Sequence, residues 1–174
     1  ATGTWSVSIS SLSKKLLDIT GTGAKDIVAA GQDGLMMQYD GASWTTKTVF
    51  NKKEINGAWS HGLESYILGD GSLGVWDGSK WATYSQLFSQ PTAGLWSGGT
   101  YLWSTRAAYY PFIIYTSRTS PSTYWTTVSL SSLGSNAELA ALWGAGTAGK
   151  MFAVGKNGLI IHCEKSCTST GSSQ

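Results

Sequence analysis

Residues 16–49 read LLDITGTGAKDIVAAGQDGLMMQYDGASWTTKTV, and residues 55–86 read INGAWSHGLESYILGDGSLGVWDGSKWATYSQ. The two stretches share one frame: a short apolar segment, a segment ending in Gly, a segment ending in Tyr/Trp-Asp-Gly, and a segment starting at Trp. Tyr39-Asp40-Gly41 recurs as Trp76-Asp77-Gly78, and Trp44 recurs as Trp81, each 37 residues on. Self-similarity at this period marks a repeat architecture in which each copy is one supersecondary unit. Every segment is short, rich in β-branched or aromatic residues, and bounded by Gly, Asp-Gly or Ser, which spells strands and tight turns. No helical period of useful length appears.

The frame extends outward in both directions. A diverged third copy spans residues 95–130 within a blade at 92–130, and a fourth spans 139–165 but stops before its Trp segment. The missing segment lies at the other end of the chain, in Gly3-Thr4-Trp5-Ser6-Val7-Ser8-Ile9. Trp5, Trp44, Trp81 and Trp125 then form one repeated position, and Ile19, Trp59, Trp96 and Trp143 another. Four strands in about 40 residues is the period of a β-propeller blade. The expected fold is therefore all-β: a small propeller of four blades, each of four antiparallel strands, with the N-terminal strand completing the last blade. Blades are expected at 16–49, 55–86, 92–130 and 139–165 plus 3–10, in one domain over 1–165, with a polar tail at 166–174. Such closure pairs the chain ends and removes an exposed sheet edge. The alternative is half of an eight-bladed ring made by two chains, in which Trp5 completes a blade of the partner.

The G-x-x-G…(Y/W)DG-x-x-W frame resembles the repeats of secreted bacterial propeller proteins, cousins of the sialidase Asp-box repeat and of the photosystem II assembly-factor repeat. The resemblance covers nearly the whole chain and implies a fold, not an activity. It departs from the sialidase Asp box in that Asp40-Gly41 and Asp77-Gly78 are adjacent.

Composition narrows the function classes. Charged residues are 13% of the 174, against about 25% in an average domain, and the net charge is +2. A nucleic-acid-binding domain needs a cationic surplus to neutralise phosphates. No apolar run approaches the roughly 20 residues of a membrane span. Neither nucleic acid nor membrane insertion is expected. A surface of Ser, Thr, Gly and Asn leans extracellular or cell-surface, with the chain as the mature form after signal removal. Cys163 and Cys167, in CEKSC, can close a small disulfide loop if the backbone turns there. The alternative is two free thiols. Two cysteines alone make no zinc site, and no cofactor is expected.

The repeated residues have structural uses. Asp-Gly pairs suit hairpin turns with left-handed glycines, and repeated Trp fills the wedge between blades. Function is expected where the repeat breaks, in Arg106-Ala107-Ala108-Tyr109-Tyr110-Pro111-Phe112, where other blades carry a short Gly turn. Inter-blade connections share that face, bringing Lys52, Lys53 and Phe88 beside Arg106, Tyr109, Tyr110 and Phe112. Cations beside aromatic rings suit glycans or protein hot spots. The alternative is that Tyr109, Tyr110 and Phe112 cover the base of their own loop. On the opposite face His61 and Glu64 could serve as acid and base, or simply form an exposed turn. A sialidase-like site is disfavoured because the chain has only Arg106 and Arg118, and no hydrolase motif occurs. The expectation is a non-enzymatic extracellular recognition or adhesion module for a glycan or protein surface. A structural subunit of a surface assembly or filament, with self-association, is the alternative; a small hydrolase ranks below both.

Overall fold

In the computed structural model, Asp-Gly and Asn-Gly turns set the architecture, and the described residues are 3–85, 92–106, 112–119, 121, 125–133, 138–145, 150–164 and 167. Blade 1 is β1 (Leu16–Gly23), β2 (Asp26–Gly31), β3 (Leu35–Tyr39) and β4 (Trp44–Thr48). Blade 2 is β5 (Gly57–His61), β6 (Glu64–Gly69), β7 (Ser72–Trp76) and β8 (Trp81–Tyr84). Blade 3 is β9 (Thr92–Gly98), β10 (Tyr101–Arg106), β11 (Phe112–Ser117) and β12 (Thr126–Ser129). Blade 4 is β13 (Leu139–Ala145), β14 (Lys150–Gly155) and β15 (Ile160–Glu164). Each is an antiparallel meander paired in chain order. The all-β, four-bladed propeller read from the sequence is the observed architecture.

Local chemistry explains the strand ends. Asp33, Asp70 and Asn157 lie at φ of 53°, 43° and 58°, each followed by a left-handed glycine, so the second and third strands of those blades are joined by backbone that Asp, Asn and Gly tolerate best. Gly31, Gly69 and Gly155 end β2, β6 and β14 for another reason. At each, an added Cβ would run into a carbonyl of the connection entering that blade, from Lys15, Glu54 and Glu138 respectively.

Cross-strand register shows how blades stack. Three residues before Gly31, Gly69, Arg106 and Gly155 stand Val28, Tyr66, Trp103 and Phe152, opposite Thr20, Trp59, Trp96 and Trp143. Thr20, rather than Ile19, therefore shares the Trp position: it stands four residues after Leu16, as Trp96 stands after Thr92 and Trp143 after Leu139, and the same irregularity recurs in β9 and β13. These side chains face the following blade. The next residues, Ala29, Ile67, Ser104 and Ala153, opposite Ile19, Ala58, Leu95 and Leu142, face the preceding one. Three apolar clusters fill the seams between blades 1 and 2, 2 and 3, and 3 and 4. Trp81 packs into the first and Trp125 into the second, each from the outer strand of the blade it belongs to.

The inner strands stand side by side in the order β1, β5, β9, β13, and no comparable contact joins β13 back to β1. The molecule is an open arc. The expected closure by the N-terminal strand does not occur: among the described residues blade 4 has three strands, and residues 3–10 join no sheet. The reason is geometric. The chain enters beside blade 1, and the curvature set by three packed seams leaves the outer edge of blade 4 far around the arc. Residues 6–9 instead lie over the outward face of blade 1, against Leu16, Ile19, Ala29, Met37 and Trp44. Cys163 and Cys167 are disulfide-bonded, with Cα atoms 5.8 Å apart. The rest of the expected polar tail lies outside the described residues.

Candidate functional site

Two faces of the arc carry loops. The first bears the turns between second and third strands and the inter-blade connections, where the sequence placed its binding residues. Much of its positive charge is tied into the fold. Lys53 Nζ donates to the Asp70 carbonyl at 3.2 Å and to Ser72 Oγ at 2.9 Å. Lys14 Nζ donates to the Asp33 carbonyl at 3.3 Å and lies 3.9 Å from its carboxylate. Lys14 and Lys53, one from each entering connection, thus tie down the turn of their own blade. Blade 4 reverses the signs, with Lys156 on the turn paired to Glu138 of the connection. Lys53 is therefore a structural cation, whereas Lys52, exposed with φ of 53°, makes no ion pair among the described residues.

Blade 3 departs from this pattern at one position. Arg106 occupies the register place of Gly31, Gly69 and Gly155, opposite Thr92 and Phe112. Its guanidinium carbon lies 5.8 Å from the centroid of the Phe112 ring, within cation–π range. The structure brings Arg106 and Phe112 together at the mouth of the long connection. Tyr109, Tyr110 and Phe88 lie outside the described residues.

The opposite face carries the remaining hairpin turns. Asp40 Oδ1 accepts from the backbone N–H groups of Ala42 and Ser43, both at 2.8 Å. Asp77 Oδ1 accepts from those of Ser79 and Lys80, both at 2.9 Å, and from Ser79 Oγ at 2.7 Å. These donors favour the charged form, lowering the Asp40 carboxyl below its usual range and the Asp77 carboxyl to about 2. The repeated aspartates are turn formers, as the sequence suggested.

Glu64 is committed elsewhere than to His61. Its Oε2 accepts from the buried Tyr66 hydroxyl at 2.5 Å and from Arg118 Nη1 at 3.0 Å. The contact ties blade 2 to blade 3. Burial first, then the Glu64 carboxylate, raises the Tyr66 hydroxyl well above its ordinary value. His61 is exposed and faces Glu64 only as its register partner across the turn. An acid–base pair is not assembled there.

On this same face an open cleft of about 600 Å³ lies between blades 1 and 2. Trp76 of blade 2 supplies an aromatic ring, and Asp26, Gln38, Lys25 and Lys47 supply polar groups; the Tyr39 side chain, next to Gln38 in the strand, points to the other face of blade 1, with its ring 5.2 Å from that of Trp44. Thr22 Oγ1 donates to Asp26 at 2.6 Å, and Gln38 Nε2 lies 3.5 Å from its other oxygen. Sequence reading missed this grouping because Trp76 belongs to the repeated frame and reads as a blade aromatic. Its place beside a hairpin turn, across from Gln38 and Lys47 of the neighbouring blade, was the available signal. Among the described residues, no cluster of three or more His, Cys, Asp or Glu could hold a metal ion, and no helix is long and apolar enough to cross a membrane.

No protein-family model and no curated protein matches the sequence. Solved structures match in shape. The computationally designed Ika4 protein superposes with a TM-score of 0.69 at 13% identity, covering 95% of this chain and 100% of its own. The β-propeller domain of Myceliophteria thermophila Cps50 (Swd1) gives 0.67 at 14% identity, over 91% of this chain and 54% of that one. YCF48 bound to D1 peptide gives 0.58 at 16% identity, over 82% and 49%, and YCF48 from Cyanidioschyzon merolae gives 0.62 at 14%, over 92% and 56%. This chain spans about half the length of the Cps50 and YCF48 chains. The expected likeness to the photosystem II assembly factor holds at the level of fold, while no sequence match ties the chain to the secreted Asp-box proteins. What these neighbours establish is the β-propeller fold itself.

Proposed function

We propose that this protein is a non-enzymatic recognition module that acts at the cell surface or outside the cell and holds a polar chain in the cleft between blades 1 and 2. The propeller is a scaffold whose faces carry function on loops while its seams carry stability. The observation behind the proposal is the cleft's mixture of surfaces. Trp76 brings an aromatic ring to the cleft, and Asp26, Gln38, Lys25 and Lys47 offer hydrogen bonds in both senses. That chemistry fits a glycan, whose sugars present an apolar ring face and a rim of hydroxyls. The engagement of Glu64 by Tyr66 and Arg118 argues against a hydrolase built on it.

A glycan array probed with the chain tests this reading. Binding to a defined glycan class that falls at least tenfold in Gln38→Ala and Lys47→Ala, both surface changes, supports it; no binding to any class refutes the glycan ligand. A second reading is favoured by Arg106 over Phe112: a protein segment docking on the other face, as suggested by the likeness to a propeller solved with a bound peptide. A displayed-peptide selection whose hits lose binding in Arg106→Ala, Phe112→Ala or Lys52→Ala supports that reading.

A further inference from the structure

The two ends of the arc present faces that everywhere else in the molecule are buried in seams. At the position facing the preceding blade, Ala58, Leu95 and Leu142 are 5%, 4% and 8% exposed, whereas Ile19 is 62% exposed. At the position facing the following blade, Trp96 is 2% exposed and its counterpart Trp143 is 53%. Trp103 is fully buried and Phe152 is 42% exposed; Ile113 is 8% and its counterpart Ile160 is 70%. Blade 4 thus offers the surface that a following blade accepts, and blade 1 the surface that a preceding blade covers.

A third vacancy accompanies these faces. The outer-strand tryptophans Trp81 and Trp125 pack into the seams between blades 1 and 2 and between blades 2 and 3. Among the described residues, the seam between blades 3 and 4 has no such tryptophan. It holds instead an apolar cleft of about 520 Å³, lined by Ile113, Val128, Leu142, Met151, Ile161 and Cys163 among others. Trp5, the fourth member of that repeated position, is wholly exposed at 103%.

We propose that two copies of this chain close one eight-bladed ring, the blade-4 face of each seated on blade 1 of the other. Residues 3–9 of each copy then form the missing outer strand on the partner's β15, with Trp5 in the cleft. In the single chain residues 6–9 lie over the outward face of blade 1 and cover Ala29 and Met37, so the pairing requires this segment to swing off that face onto the partner's β15 as the partner's blade 4 takes its place. Curvature selects a second copy over self-closure. The inner strands of blades 1 and 4 do not meet, and Ile19 and Trp143 stay exposed at the two ends, so a single chain leaves both end faces unpaired. Closing four blades on themselves would require the three existing seams to repack. Two-fold symmetry forms the joint twice, which moves the buried area toward the roughly 1,600 Å² of a stable interface.

Light scattering coupled to size exclusion, run on the whole chain over a concentration series, tests this. The expected mass is twice the 18.5 kDa of one chain. Ile19→Lys and Trp143→Lys should each run as monomers with an unchanged β-sheet circular dichroism spectrum. Mixing the two variants should restore a dimer, because one of the two joints then contains neither lysine. By the register of Val128 with Ile113, Ser8 should face Ile160, so Ser8→Cys with Ile160→Cys on the otherwise native chain should give a covalent dimer on a non-reducing gel. That readout stands if the lysine variants fail to fold. A monomer at every concentration, a disulfide within one chain, or an open-ended polymer would each overturn the two-copy ring.

Discussion

Trp96 and Trp143 hold the same place in consecutive blades, and their replacement by Ala should cost very different amounts in a single chain. Trp96 is 2% exposed and packs against Leu142 and Met151, with its ring on Gly144. A buried Trp covers about 150–250 Å², which at about 25 cal/mol per Å² is roughly 4–6 kcal/mol as an upper figure. Mutational experience with enclosed aromatics places Trp96→Ala at about 3–5 kcal/mol. Trp143 is half exposed, so it forfeits about half of that area, roughly 2–3 kcal/mol as an upper figure, and leaves no enclosed cavity to add to it. Urea unfolding at a concentration low enough for the chain to be monomeric measures both, from the midpoints at constant m. Equal losses for the two variants in the monomer would refute the reasoning, since Trp143 would then have to be as enclosed as Trp96. As concentration rises into the range where copies associate, the cost of Trp143→Ala should climb toward that of Trp96→Ala.

The other expectations concern single contacts. Asp77→Ala should lower the thermal midpoint at pH 6 and much less below pH 3. A carboxylate lowered to about 2 from an ordinary 3.8 contributes stability present above about pH 4 and lost as pH falls through 2; a constant difference from pH 6 to pH 2 would contradict the turn assignment. Glu64→Ala should destabilise by about 1–3 kcal/mol, because it leaves the buried Tyr66 hydroxyl without its acceptor, while His61→Ala should be silent in the same melt. In an alkaline absorbance titration Tyr66 should be among the last tyrosines to ionise, with stability declining as pH climbs above 10. Replacing both Cys163 and Cys167 by Ser should cost no more than about 2 kcal/mol, the chain-entropy value for so small a loop; a larger loss by urea unfolding would mean that the loop organises the seam around Cys167.

Blade number, strand order and the turn role of Asp40 and Asp77 were legible because each rests on local chemistry repeated at a fixed period. The outcome for residues 3–10 was not. Trp5-Ser6-Val7-Ser8-Ile9 carries the signature of an outer strand, but which edge it meets depends on the curvature summed over three seams, and no single segment encodes that sum. Ile19 was misaligned for a simpler reason: blade 1 has Thr20 where the other inner strands have Trp, and the apolar neighbour Ile19 drew the alignment one residue off. The candidate site was half readable. Arg106 stood out because every other blade has Gly there, and its contact with Phe112 bears on the expected site. The use of Lys14 and Lys53 on turn carbonyls could not be read from composition, since a lysine near a loop looks the same whether it bonds a backbone or a ligand. Trp76 was hidden by its own regularity.

The open arc also sets how stability is distributed along the chain. Each blade touches only its neighbours, so the molecule behaves as a short one-dimensional array in which cooperativity passes from seam to seam. Blades 2 and 3 are held on both faces and blades 1 and 4 on one. Amide protection should therefore grade inward from the ends, highest in β6 and β10 and lowest in β4 and β15. Joining the ends would erase that gradient, because a ring has no terminal unit at which unravelling can begin.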